Sequence, residues 1–324
     1  MKTAVLHNRK PLLSVPNHLP DDLFEEYDSV ETIDAIVAVL TRMDIEAEPV
    51  VAERDLARRL DDGYDFVFNI AEGTGRRSRE AVPAAVCELL GLPYTGSDPL
   101  TLAATLDKAI ARRIVSPDVP VARAATSLEE LDSLSFPVIV KPNDEGSSKG
   151  IRQRSYCTDL CSARRQWQWL EENYRCPVLV EEWLPGAEVT VAVVGNGAGA
   201  KVLAMMEIGF AVPSENPFLY SLEVKRSYRD VVRYLVPPCL SAVTLRLIER
   251  YALRAYHLLG CRDLARIDFR LDADGRPCFL ECNPLPGLNP ESSDFVIATR
   301  EVLSYSQLIG NVIRDAAARH GLSL

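Results

Sequence analysis

Apolar residues along the first ninety positions follow two alternating rhythms. Thr3–His7 (TAVLH) is a short apolar run of strand length. Asp28–Met43 places apolar residues at Val30, Ile33, Ile36, Val37 and Leu40, the three-and-four spacing of a helix with one buried face. Ile45–Val51 predicts a strand, Glu53–Leu60 a short helix, and Asp65–Ile70 a dense β segment. Arg79–Leu90 predicts a helix closed by Gly91, a residue suited to a left-handed cap. Strands alternating with helices imply a parallel sheet covered by helices, with ligands at the carboxyl ends of its strands. The loop after Ile70 lies at such an end.

From Ser97 the rhythm changes. Ser97-Asp98-Pro99 predicts a helix start with proline in the first turn, and short helices fill 98–115. A strand at Pro137–Lys141 leads into a Gly/Ser loop at 143–150 and a helix at Thr158–Tyr174. Strands then dominate: Val178–Trp183, Glu188–Gly195 and Lys201–Phe210. Gly195–Gly199 joins two strands and precedes no helix, so it predicts a hairpin turn rather than a dinucleotide fingerprint. A long helix (Ser241–Leu259), a hairpin (Arg262–Asn283) and a final helix (about Tyr305–Arg319) complete the chain. The expectation is an α/β protein of three domains: 1–97, 98–180 and 181–324.

Composition narrows the classes. With 324 residues, 47% hydrophobic and 25% charged, the chain can bury a large core without disulfides or a structural metal. A net charge of −10 argues against a nucleic-acid binder. The acidity is uneven: residues 1–100 carry 19 acidic and 10 basic side chains, concentrated in Asp21–Asp65, whereas the remainder carries 27 and 26. That balance suits an anionic ligand. There is no apolar run of transmembrane length and no signal-peptide core in MKTAVLHNRKPLL, so a cytoplasmic protein without a membrane partner is expected. The eight cysteines form no C-x-x-C, and the four histidines fall at no zinc spacing, which predicts reduced thiols.

Asp274-Gly275 is a strong hairpin-turn signal. A two-residue loop there sets Asp268 opposite Glu281 and Arg266 opposite Asn283, all four on one face by period-two alternation. Ile267, Phe269, Leu271, Cys278, Leu280 and Cys282 then take the core face. Facing carboxylates repel and need neutralising charge. Asp, Glu and Asn offer hard oxygens suited to Mg²⁺ or Mn²⁺, and Mg²⁺ commonly shares its shell with nucleotide phosphates. The competing reading is a solvated hairpin face with an internal Arg–Asp ion pair. Likewise, the strand, Lys141 and Gly/Ser loop of Pro137–Gly150 form either an anion-binding nest or an ordinary surface turn, and no Walker A pattern is present.

Taken in order, these segments resemble the ATP-grasp superfamily and, within it, the D-alanine–D-alanine ligase family. Pro93–Ser97 with Leu106–Lys108, Pro137–Ile151, Leu179–Glu188, Ala265–Phe269, Phe279–Asn283 and Pro286-Gly287 carry the resemblance. It implies an ATP-dependent ligase joining a small-molecule carboxylate to an amine through an acyl phosphate, with ATP and Mg²⁺ (or Mn²⁺) and a homodimer common in the family. It implies that Lys108 and Lys141 hold phosphates and that Ser147 and Ser148 lie in the flexible loop. Glu181, Glu182, Trp183, Leu184 and Leu280 would line the adenine pocket, with Glu188 on the ribose. Lys225 would reach the phosphates, and Asp268, Glu281 and Asn283 would bind metal. Arg266 would stabilise charge on the phosphoryl group and the tetrahedral intermediate, and Gly287 and Ser292 would contact the second substrate's carboxylate.

Three departures bear on the substrate. His7 is followed by Asn-Arg-Lys-Pro-Leu-Leu-Ser, with no glutamate at the point where the family places an amine-orienting one. The family's His-Gly after the dense β strand reads Glu72-Gly73, making Glu72 a candidate substrate contact. The family's Lys-Tyr reads Lys225-Arg226. Arg226, Arg76, Arg77 and Arg79 are available either for extra substrate carboxylates or for solvent. The altered half favours a ligase with a substrate other than D-alanine. The alternatives are an imine-forming ligase of the mycosporine-like amino acid type, an authentic D-alanine–D-alanine ligase, and a nucleotide-binding regulatory protein without turnover.

Overall fold

In a computed structural model, the described residues are 1–11, 20–61, 63–75, 77–211 and 217–324. The first rhythm folds as its spacing predicts. β1 (Lys2–His7), α1 (Val30–Arg42), β2 (Glu46–Val51), α2 (Leu56–Leu60), β3 (Phe66–Asn69) and α3 (Ala81–Leu90) form a parallel sheet of order β2-β1-β3 with flanking helices. Ser29 caps α1 through Thr32 N, and Ile33, Ile36 and Leu40 bury the expected face. Gly91 closes α3 at φ 67°.

Two helices, α4 (Pro99–Leu106) and α5 (Lys108–Val115), lead out of this layer, capped by Asp98 and Asp107. β4 (Ala124–Ala125), β5 (Val138–Pro142), β6 (Tyr156–Cys157), α6 (Leu160–Tyr174) and β7 (Val178–Glu182) follow. The strands form an antiparallel sheet of order β4-β7-β5-β6, backed by Trp167 and Leu170 of α6. β7 runs to Glu182, so the division expected between 180 and 181 falls inside this strand.

The third sheet, of order β10-β9-β8-β11-β12, is antiparallel. Its region contains β8 (Glu188–Val194), β9 (Lys201–Phe210), α7 (Leu222–Arg226), α8 (Tyr228–Val231), β10 (Val232–Leu235), α9 (Ala242–Leu259), β11 (Leu264–Leu271), β12 (Pro277–Asn283), α10 (Asp294–Thr299) and α11 (Tyr305–Arg319). α9 covers one face: Ile248, Ala252 and Tyr256 pack with Val191, Ile267, Phe269 and Phe279. α11 returns to the first layer, where Leu308, Ile309 and Val312 join Ile36 and Phe68 in one core. Among the described residues, no helix is long and apolar enough to cross a membrane.

The β11–β12 pairing carries two compensating departures. Asp272 and Arg276 are bonded across the turn, so the loop spans 273–275 rather than Asp274-Gly275 alone. Leu280 is then an extra residue on β12, because the partner of Asp268 is Glu281 while that of Phe269 is Phe279. The bulge restores the expected Asp268–Glu281 and Arg266–Asn283 pairs. It also corrects the face assignment: Phe279 fills the core, whereas Cys278 and Leu280 pack with Ala122 and Leu184 in a separate small cluster.

Candidate active site

Two clefts meet at one wall. The first, of about 910 Å³, lies between the central sheet and the uncovered face of the third. Alternation explains its wall: on β11 the odd positions Ala265, Ile267 and Phe269 enter the core, and Arg266, Asp268 and Arg270 face the cleft. From the central sheet come Lys141 and Glu181, and from the hinge Glu182, Trp183 and Leu184. Lys108, Ser147, Ser148, Glu188, Lys225, Leu280 and Glu281 complete the set expected for a nucleotide. The second cleft, of about 950 Å³, is lined by Glu72, Asn283, Gly287 and Ser292 together with Glu25, Glu26, Asp28 and Lys10. Ser147, Tyr220, Lys225, Arg266 and Asp294 line both.

Charges in the first cleft are matched locally. Arg266 Nε donates to Asp268 Oδ2 at 2.9 Å and Nη2 to Glu281 Oε1 at 3.2 Å. Thr190 Oγ1 donates to the other Asp268 oxygen at 2.8 Å, and Lys108 Nζ stands 3.3 Å from Glu281 Oε2. The Arg–Asp ion pair of the competing reading exists, but it is buried in a cleft and not solvated. Burial pushes Asp268 up to about 6, despite Arg266. At Glu281 the same burial is more than offset by Lys108 and Arg266, which pull it down to about 2. Burial opposes the Arg266 charge, but these carboxylates reverse that and hold its proton more tightly than usual.

Glu181 is 2% exposed and accepts from both Arg112 and Lys141. Burial would raise its pKa, but Lys141 and Arg112 bring it below the usual carboxylate range. It therefore stands between Arg112 and Lys141 in the cleft wall. Glu182 accepts from Ser135 N at 2.7 Å. Arg270 Nη1 donates to Glu188 Oε2 at 3.0 Å while its guanidinium lies 4.0 Å from the Trp183 ring centroid. Burial raises Glu188 to about 7, against the pull of Arg270.

The residues expected to hold a divalent metal were tested by their donors. Asp268, Glu281 and Asn283 present two carboxylates and an amide oxygen, a hard set that suits Mg²⁺ sharing its shell with phosphates. Asn283 Oδ1 accepts from Leu285 N at 2.9 Å, and each carboxylate oxygen has one protein donor, leaving a further lone pair on each. Among the described residues no three His, Cys, Asp or Glu side chains form a metal-holding group, so the set needs the asparagine and ligand oxygens. On donor chemistry the residues fit.

The second cleft corrects the arginine expectations. Arg226 lines neither cleft: it pairs with Asp21 Oδ2 at 2.6 Å and Glu25 Oε2 at 3.2 Å. Arg77 pairs with Asp107 at 3.1 Å, and Arg79 is buried on Glu26. Arg76 lies outside the described residues. Arg226 and Arg77 remain exposed while pairing with protein carboxylates, Arg79 is buried, and none of the three lines either cleft. Glu25 and Glu26, further along the connection after β1, also line this cleft. Glu72 is half-buried; burial, then Glu80, Glu26 and Asp28, push its pKa well up. Ser293 Oγ accepts from Asn289 N at 2.8 Å, and a Cβ on Gly287 would come within 2.9 Å of that hydroxyl.

Thr190, Tyr220, Arg270 and Asp294 are among the cleft residues not singled out from the sequence. Tyr220 donates to Asp294 Oδ1 at 3.1 Å and meets the Tyr234 hydroxyl at 2.9 Å. Arg270 could have been found by extending the alternation of Arg266 and Asp268 by one step. The others depend on contacts between elements distant in sequence.

Comparison with known proteins gives this arrangement its class. The family model described as "D-ala D-ala ligase C-terminus" matches residues 108–314. A D-alanine–D-alanine ligase from Bordetella petrii is 35% identical over 274 residues, covering 82% of this chain and 80% of that protein. One from a Synechococcus species is 33% identical over 290 residues, covering 86% and 85%. The structure of a D-alanine–D-alanine ligase from Bacillus anthracis complexed with ATP matches with a TM-score of 0.76 at 22% identity, covering 99% of this chain and 98% of that one. The VanG D-Ala:D-Ser ligase from Enterococcus faecalis matches at 0.73 and 20% identity, covering 97% and 99%.

Two sheets clasping a cleft under a Gly/Ser loop, beside a parallel α/β layer, make this an ATP-grasp protein. The chain belongs to the D-alanine–D-alanine ligase family. It is an ATP-dependent ligase that forms C–N bonds.

Proposed function

We propose that the enzyme joins a carboxylate to an amine through an acyl phosphate, with the nucleotide in the first cleft and the two other substrates in the second. One observation carries this reading: Arg266, oriented by Asp268 and Glu281, stands in the wall common to both clefts, where a phosphoryl group would pass from one to the other. A free carboxylate is a poor electrophile, and phosphorylation supplies a good leaving group for amine attack. Lys108, Lys141 and Lys225 would position the phosphates, Arg266 would meet negative charge developing on the phosphoryl and tetrahedral centres, and Ser147 would close the junction against water. Glu182, Trp183, Leu184 and Leu280 would hold the base, and Glu188 the ribose. Asp268, Glu281 and Asn283 would hold Mg²⁺ or Mn²⁺, which when bound supplies neutralising charge to the phosphates. Gly287 and Ser292 would receive the second substrate's carboxylate.

Glu72, whose carboxyl burial pushes well above the usual range, faces the second cleft where the family has histidine, in a polar lining that also carries Glu25, Glu26, Asp28 and Lys10. This supports a substrate pair other than two D-alanines. The reading includes a homodimer acting in the cytoplasm; sedimentation velocity checks the former. The decisive experiment is a phosphate-release screen over D- and L-amino acids, each with and without a second carboxylate, with D-alanine and D-serine included. Amine-dependent release of ADP and phosphate, with an amide identified by mass, is expected. Release with an imine product instead would overturn the amide chemistry, and no release with any pair would overturn turnover itself.

A further inference from the structure

The Gly/Ser loop is gripped from outside its own sheet. Gly150 N donates to Asp22 Oδ2 at 2.9 Å, and Asp22, wholly buried, also accepts from Tyr174. Glu26 reaches deepest. Its side chain is 5% exposed and both oxygens accept from Arg79 Nη2, at 2.8 and 2.9 Å. Lys149 Nζ lies 3.2 Å from Glu26 Oε2, and Gly146 N donates to Oε1. Arg79, at the entry to α3, also donates Nη1 to the Asp144 carbonyl at 2.8 Å. Side chains from the first eighty residues thus hold the loop backbone at Asp144, Gly146 and Gly150.

The grip is close and charged. A Cβ on Gly146 would come within 2.8 Å of Glu26 Oε1, so the contact requires glycine. Burial would raise the Glu26 pKa, but Arg79 and Lys149 more than offset it, so the hydrogen bonds are charge-assisted. Glu26 lines the second cleft, and Ser147, next to the residue it holds, lines both. Ser148 Oγ in turn donates to the Tyr220 carbonyl at 2.8 Å across the loop.

Resting on the ligase reading above, we propose that Glu26 and Arg79 are positioning residues that hold the Gly/Ser loop over the nucleotide cleft from the substrate side. Occupancy of the second cleft and the grip on the phosphates are then coupled through Glu26–Gly146–Ser147. Releasing the loop admits water to the acyl phosphate, which is hydrolysed to carboxylate and phosphate before the amine attacks.

The test compares full-length wild type with Glu26→Gln, Glu26→Ala and Lys149→Met. Two quantities are read: hydrogen exchange over 143–150 with and without Mg-ATP, and the ratio of ADP released to amide formed. Glu26→Ala is expected to speed loop exchange at least about tenfold and to raise the ratio several-fold, with Glu26→Gln and Lys149→Met moving both in the same direction by less. Gly146→Ala is expected to speed exchange in wild type and to add nothing in Glu26→Ala. Folded variants with wild-type exchange and a wild-type ratio would overturn the proposal. If Glu26→Ala fails to fold, Glu26→Gln and Lys149→Met carry the same decision. Faster loop exchange in a chain without ligase turnover would sink the ligase reading alone, and unchanged exchange in an active ligase would sink the loop proposal alone.

Discussion

The two clefts share a wall yet handle charge differently. In the nucleotide-side cleft, Glu181, Glu188, Asp268 and Glu281 each have a cation within hydrogen-bonding distance. Their partners lie on the same or the neighbouring strand or on α5. In the substrate-side cleft, burial pushes Asp28 up to about 7 with Lys10 alone pulling it back, and Glu72 is likewise pushed well up. The first cleft is built as fixed ion pairs that a polyphosphate and metal can enter. The second holds, beside the paired Glu25 and Glu26, two half-buried carboxyls, Asp28 and Glu72, with no ion pair among the described residues.

Removing the arginine common to both clefts is the strongest challenge to this contrast. Arg266→Ala leaves Asp268 and Glu281 facing each other without their shared cation, and single-turnover ADP formation should fall on the order of 10³-fold. Retention of rate would mean that the junction is not where the reaction occurs. Within the nucleotide side, Glu181→Ala leaves Arg112 and Lys141 buried without their anion, and urea unfolding should show a loss of about 3–5 kcal/mol. A loss below about 1 kcal/mol would mean that these charges are not matched as tightly as the geometry indicates.

The substrate side should respond to pH. Native Asp28 keeps its proton to about 7, whereas the unfolded chain releases it near 3.8, so its contribution to stability declines as pH rises between those values. Asp28→Asn should therefore be neutral near pH 4 and stabilising by about 1–3 kcal/mol at pH 8, measured by urea unfolding without substrate. A pH-independent difference would remove the contrast between the clefts. The smallest effect is expected at Gly287, where an added Cβ crowds Ser293 Oγ at 2.9 Å. Gly287→Ala should raise KM for the amine substrate by about tenfold or less and leave KM for ATP unchanged, with Ser293→Ala in the same chain restoring part of the loss. An equal rise in KM for ATP would show that the clefts do not separate as described.

Much of the nucleotide side was legible in the sequence because its residues sit close together along it. Alternation put Arg266 and Asp268 on one face of β11 and the facing pair Glu281 and Asn283 on β12. The pairing emerged from a wrong loop length and an unforeseen bulge at Leu280 that cancel, since the Asp268–Glu281 register tolerates one extra residue on each side of it. The cancellation failed for side-chain direction between the two irregularities, where Cys278 and Leu280 changed face. Arg270, two positions beyond Asp268, was readable by the same alternation. Asp294 was not, because it reaches the cleft from α10.

The acidic surplus of Asp21–Asp65 was visible as composition, but its use was not. Asp21, Asp22, Glu25 and Glu26 meet Arg226, Arg152, Lys149 and Arg79, partners scattered from α3 to α7. Arg226 and Arg79 were open to either substrate or solvent while their neighbours in space were unknown.

By itself the sequence determined most of the elements and which residues along single strands share a face, because backbone periodicity carries these over a few residues. Tertiary structure alone decided which charges are spent on one another and which remain for a substrate. Ion pairing depends on distance in space, and an acidic segment near the start of the chain finds its partners only after the layers have packed.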